Sequence, residues 1–194
     1  MLDQKAFAEI VTRATALPLT LDEAKKHLEI ATTDTAHDEH ISALVSDARD
    51  QWERDTDSVT TYQTWRIKTD GIEDGYKLPK TPVSSITSIT YYDVSNALQT
   101  LATSVYELDT SRNEIRLKYQ QQWPSVASRW DAITVTYVCG YGADGRYVPG
   151  VAKRAMLLLV GHYFENRDML SNEMIYTRKI YEALVARYIR SSYP

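Results

Sequence analysis

Ala132-Ile-Thr-Val-Thr-Tyr-Val-Cys139 decides how the rest of this 194-residue chain is read. Ile133, Val135 and Tyr137 alternate with Thr134, Thr136 and Val138. That two-residue period belongs to a strand. Gly140-Tyr-Gly-Ala-Asp-Gly145 then breaks the alternation, and Pro149 suits the first turn of a helix, where its missing N–H costs nothing. A strand, a glycine-rich connection and a helix follow one another directly.

Upstream, the same strand chemistry runs back to Thr60. Short stretches of Thr, Val, Ile and Tyr are broken by Asp70-Gly71, Asp74-Gly75, Pro79, Pro82, Asn96 and Pro124. The predicted strands are Tyr62–Thr69, Val83–Asp93, Val105–Leu108, Glu114–Lys118 and Ala132–Cys139, and their short links predict an antiparallel meander. Helical periods flank this block. Phe7, Ile10, Val11 and Ala14 are spaced for a short N-terminal helix stopped by Pro18. Thr20-Leu-Asp-Glu23 has the form of a capping box. Ile41, Leu44, Val45, Ala48 and Trp52 form a longer stripe, capped by Asp34 or Thr35. Val151 to Asn166 is apolar on most sides, and a last helix carries Met174, Tyr181, Leu184 and Tyr188. The expected fold is α+β: a helical core of about five helices from residues 1–60 and 147–194, with an antiparallel β module of residues 61–146 inserted.

Composition narrows the function classes. Apolar residues make up 43% and charged residues 25%, an ordinary globular balance. Cys139 is the single cysteine, which excludes an intrachain disulfide framework and a Cys-only zinc site. The longest apolar run, Ala155 to Val160, falls far short of the ~20 residues that span a bilayer, and no secretory leader is read at the N-terminus. The formal charge of −4 divides into −7 over residues 1–60, zero over 61–147 and +3 over 148–194. An acidic head and a basic tail can attract each other within a subunit or between neighbours, and no general basic footprint for nucleic acid is present.

Gly140 to Gly145 matches G-x-G-x-x-G, the pattern with which a dinucleotide site brings backbone to a pyrophosphate. The helix waits until Pro149 and no second parallel strand follows, so the expectation is a plain strand-to-helix connection; a nucleotide-binding enzyme built on this loop is the rival. His37 and His40 lack a third ligand and are read as a solvated helix turn. His27 and His162 have no partner visible in sequence. Cys139 reads as a small buried side chain, and no nucleophile elbow is present. No catalytic, cofactor-binding or metal-binding residue is nominated. Fourteen Tyr and four Trp against two Phe favour surfaces covered in a complex and wet at the rim. A carbohydrate- or nucleic-acid-binding β module is a second rival, against which the neutral sheet segment speaks.

Several segments together resemble one family, the head–tail connector (adaptor) proteins of tailed bacteriophages, in the subgroup with a β insertion between the second and third core helices. They are Leu19 to Leu28, Ile41 to Glu53, Leu78-Pro-Lys-Thr-Pro-Val to Asp93, Trp123-Pro124, Ile133 to Gly142, and Val148-Pro149 leading to Gly161-His-Tyr-Phe-Glu-Asn-Arg-Asp168. The chain departs from the pattern in the helix before Pro18 and in Asp168, where Glu is expected. The resemblance implies a structural virion protein without catalysis or cofactor. Such subunits form a ring, typically twelve-fold, that docks on the portal protein, extends the DNA channel and receives the next neck or tail protein. Double-stranded DNA would pass without sequence-specific binding, no membrane is involved, and the place of action would be the head–tail junction of a virion assembled in the host bacterial cytoplasm. Another phage neck or tail-completion protein is the nearest alternative. A ring needs heterologous faces. The basic C-terminal helix is therefore read as a portal or subunit interface formed by Tyr176, Arg178, Lys179, Tyr181, Arg187, Tyr188 and Arg190; the alternative is that it packs back on its own acidic helices.

Overall fold

The computed structural model describes residues 7–165, 172–186 and 188. The chain divides into two compact units, one of residues 1–13 and 62–140 and the other of residues 14–61 and 141–194.

The first unit is built from strands: β1 (Phe7–Thr12), β2 (Gln63–Thr69), β3 (Tyr76–Lys77), β4 (Val83–Tyr92), β5 (Leu98–Thr100), β6 (Tyr106–Asp109), β7 (Glu114–Leu117) and β8 (Ile133–Cys139). Five form a sheet of order β1-β2-β8-β4-β5, and three form a smaller one of order β3-β7-β6. Every pairing is antiparallel, as expected. The order is not a meander, however. β8, last in sequence, lies between β2 and β4. It carries no charged side chain, and Ile133, Val135, Tyr137 and Cys139 are all buried, so it tolerates a neighbour on each edge and a core on one face. Its register with β2 is unbroken from Gln63↔Cys139 to Thr69↔Ile133, whereas β4 follows it with two irregularities.

The N-terminal segment corrects the expected helix. Phe7–Thr12 is an edge strand paired with β2, from Phe7↔Lys68 to Thr12↔Thr64, with a bulge after Ile10. A short, uncapped helical stretch is marginal by itself. Here β-branched Ile10, Val11 and Thr12 favour extended backbone, and the edge of β2 supplies the missing hydrogen-bond partners. Opposite charges fix the register: Glu9 faces Arg66, which donates to its carboxylate at 3.2 Å, with Lys68 at 3.8 Å.

The second unit holds four α-helices among the described residues, one fewer than the expected five or so: α1 (Leu21–His27), α2 (Asp38–Thr56), α3 (Gly150–Glu165) and α4 (Asn172–Val185). α1 begins with the expected capping box. The Glu23 N–H donates to Thr20 Oγ1 at 3.1 Å, and the Thr20 N–H donates to Glu23 Oε2 at 2.8 Å. α2 starts later than predicted. His37 occupies its N-cap without a side-chain bond, while Asp34 accepts instead from the Ala36 N–H at 3.0 Å. Ile41, Leu44, Val45, Ala48 and Trp52 of α2 meet Ala152, Ala155, Met156, Leu159 and Val160 of α3, with Tyr181 and Val185 of α4 closing the cluster. The one buried cation of α1, Lys25, is 1% exposed. Its Nζ donates to the carbonyls of Thr32 (3.2 Å) and Asp34 (2.7 Å) and pairs with Asp38, pinning the α1–α2 connection.

Candidate assembly interface

α4 mixes basic and tyrosine side chains, and its helical period sends them in two directions. Tyr181 turns inward. It is buried, and its hydroxyl donates to Asp55 Oδ2 at 2.9 Å. Gln51, one turn earlier on α2, holds the same carboxylate through two bonds of 2.8 and 3.0 Å. Burial first, then the adjacent Asp55 carboxylate, pushes the Tyr181 phenol well above its ordinary range. Tyr188 lies edge-on to Trp52 with ring centroids 5.0 Å apart. Arg178 and Lys179 are exposed instead. Arg178 Nε donates to Glu182 Oε1 one turn on, at 2.8 Å, a solvent-facing pair of small energetic weight. The Tyr176 side chain, Arg187 and Arg190 lie outside the described residues. Of the nominated set, then, Tyr181 of α4 and Tyr188 just beyond its end contact α2, and two basic residues face solvent.

The glycine-rich connection is occupied by the protein itself. A Cβ on Gly142 would sit 2.3 Å from the Tyr147 ring, and one on Gly145 would sit 2.2 Å from the Pro18 carbonyl oxygen. Gly140 has φ +129°, a backbone setting that side chains disfavour. Asp144 caps the 3-10 turn Gly145–Tyr147, accepting from the Arg146 N–H at 2.9 Å, and so directs a carboxylate at the turn where a phosphate site needs free donors. Each glycine of the motif thus has a packing or backbone reason to be glycine.

The histidines do not converge. His37 and His40 both lie against the Phe164 ring, with centroids 5.8 and 6.0 Å away, and His27 packs beside Gly161. Among the described residues no three His, Cys, Asp or Glu side chains are grouped to hold a metal ion, and no helix is long and apolar enough to cross a membrane. Cys139 is buried at the end of β8.

One feature escaped the sequence reading. Arg129 lies over the Tyr92 ring, its guanidinium carbon 4.0 Å from the centroid, next in sequence to an 86% exposed Trp130. The Arg-Trp dipeptide is visible in the sequence. The ring beneath it is supplied by a strand far away in the chain, so spacing carried no signal.

No curated protein matches the sequence. The structure is similar to a chain of the virion of the native gene transfer agent (GTA) particle, with a TM-score of 0.79 and 19% identity over 97% of each chain. It is similar also to a chain in the neck of the empty GTA particle computed with C6 symmetry (TM-score 0.77, 20% identity, 97% of each chain). A chain in the neck of the native GTA particle computed with C12 symmetry gives 0.70 and 22%, again over 97% of each. At these identities the likeness is one of fold. Residues 18–123, more than half of the chain and spanning α1, α2 and strands β2 to β7, match the family described as phage gp6-like head-tail connector protein. On that match the chain belongs to the phage gp6-like head-tail connector proteins, structural components of the junction between head and tail.

Proposed function

We propose that this chain is one wedge of a closed ring, twelve-fold in the virion, that docks on the portal, extends the DNA channel and receives the next neck or tail protein. The family match carries the reading, and the symmetric necks of the similar GTA structures support the ring. The charge layout fits it: an acidic N-terminal segment and a basic C-terminal one are the two unlike faces that a heterologous contact requires. Tyr181 of α4 and Tyr188 just beyond it hold this segment on α2, so that Arg178 and Lys179, with Tyr176, Arg187 and Arg190, meet the portal or a neighbouring subunit. No step of this role makes or breaks a covalent bond. The bore is not lined with Lys and Arg, because cationic walls would hold DNA through phosphate contacts that ejection must break. Assembly takes place in the bacterial host before the virion leaves it.

The test is size-exclusion chromatography with light scattering on the purified chain, alone and mixed with portal. The wild type is expected to co-elute with portal as a ring-sized complex. Arg178→Glu with Lys179→Glu, and separately Arg187→Glu with Arg190→Glu, should weaken that complex about ten-fold or more. Unchanged complexes in both double variants would refute the docking assignment.

A further inference from the structure

One ridge of α2 is engaged at one end and open at the other. Glu39, Ala43, Asp47, Gln51 and Asp55 stand four residues apart along it, the kind of row that most often packs between helices. Its last two members are taken up inside the chain: Gln51 donates to Asp55, and Asp55 also accepts from Tyr181 of α4. Its first three, Glu39, Ala43 and Asp47, are exposed. Neither carboxylate forms an ion pair among the described residues. The Asp47 charge is nonetheless felt within the unit, because after burial it is the largest influence raising the Tyr163 phenol of α3.

α4 carries the opposite sign on a ridge of the same spacing. Lys179 and Ala183 are exposed and four residues apart, and Lys179 forms no ion pair among the described residues. Arg178 beside it is exposed too, and its printed contact is the solvent-facing one with Glu182. In the sequence, Arg187 extends the row by a further four residues. Both ridges thus set an alanine next to their charges. A single methyl lets a facing helix come toward the short end of the usual axis separation, about 8–10 Å.

We infer that, around the ring, the α4 ridge of one copy packs along the open α2 ridge of the next, with Arg178 and Lys179 facing Glu39 and Asp47. The occupant is a second copy because the opposite charges and the matching spacing belong to two different helices of this one chain, as a head-to-tail contact requires. The chain's own α4 is already seated at the far end of the ridge through Tyr181. Exposed ion pairs contribute little each, so the contact sets register and direction around the ring more than its affinity. The inference rests on the ring reading and names the partner of its basic face.

Glu39→Lys with Asp47→Lys makes both ridges positive, and Arg178→Glu with Lys179→Glu makes both negative. Each double variant of the full chain is mixed with portal, and the ring is measured by size-exclusion chromatography with light scattering. Either variant alone should lower the yield of rings about ten-fold or more. An equimolar mixture of the two should restore it, since unlike ridges then alternate around a ring of even number. Helical circular dichroism checks that each variant is folded. Should one lose its helices, Glu39→Gln with Asp47→Asn decides, and it too should lower the yield. Wild-type yield from a folded reversed variant alone or from the Gln/Asn variant, or no recovery in the mixture of folded variants, would overturn the inference and leave the connector reading intact. A wild-type chain that builds no ring on portal would instead overturn the connector reading.

Discussion

Gly145→Ala separates a glycine kept for packing from a glycine kept for a ligand. The residue opens the 3-10 turn ahead of α3 with φ outside the left-handed region, so alanine is conformationally allowed and the cost is steric. The added Cβ would lie 2.2 Å from the Pro18 carbonyl oxygen and 2.7 Å from its carbon. Both are backbone atoms and cannot rotate away. Reaching the 3.0 Å below which real contacts of this kind essentially never fall requires a backbone shift of about 0.8 Å in the helical unit. Overpacking of this sort costs about 1–3 kcal/mol, and the rigid obstacle puts the cost near 3. For a chain of this length that corresponds to a midpoint lowered by about 6–12 °C. Gly150→Ala is the matched control: nothing lies within 4 Å of its added Cβ, and it sits at the start of α3. It should be neutral or stabilising by up to about 1 kcal/mol. Urea and thermal unfolding followed by helical circular dichroism would compare the two variants. If Gly145→Ala unfolds within about 0.5 kcal/mol of the wild type, the close approach to Pro18 is not what holds that position as glycine, and the packing account of the whole loop fails with it.

Tyr181→Phe removes the hydroxyl that donates to Asp55 while leaving the ring in the core. The expected loss is about 1.5 kcal/mol at pH 7, as for a hydrogen bond to a charged acceptor. Because burial and Asp55 raise the folded phenol's pKa, its stabilisation is complete below the free phenol's pKa of about 10 and is lost as pH rises beyond it. The gap between wild type and variant should therefore narrow above about pH 10, and a gap that stays constant into that range contradicts the assignment. Asp93 carries the opposite sign. The Ser95 hydroxyl, the Ala97 N–H and the Gln99 amide hold its pKa at about 2, so the β4–β5 turn should be secure above about pH 4 and loosen as pH falls toward 2. A carboxyl-carbon NMR titration with a midpoint near the ordinary 3.9 or so would contradict that network.

Much of the chain's organisation is written in local pattern. The alternation in Ile133–Cys139, the Thr20–Glu23 capping box, the Ile41–Trp52 stripe and the apolar α3 segment each place their own hydrogen bonds and apolar faces within a few residues, and the structure has them where the pattern puts them. The same local logic misreads Phe7–Thr12, because Phe7, Ile10, Val11 and the following Ala14 satisfy a helical period while the deciding partner, the edge of β2, lies about fifty residues away. Nor does spacing reveal that β8 sits at the sheet centre, or that Arg129 rests on Tyr92. Around α4 the sequence supplied the list of basic and aromatic residues, but only the packing sorted Tyr181, and Tyr188 just beyond the helix, toward α2 and away from Arg178 and Lys179. The sequence by itself determined, through its local patterns, an α+β protein with oppositely charged ends, and its motif segments carried the family resemblance. Tertiary structure alone decided which strand took the centre, which glycines were crowded and which side chains around α4 turned inward or out, since each depends on atoms brought close by folding from distant parts of the chain.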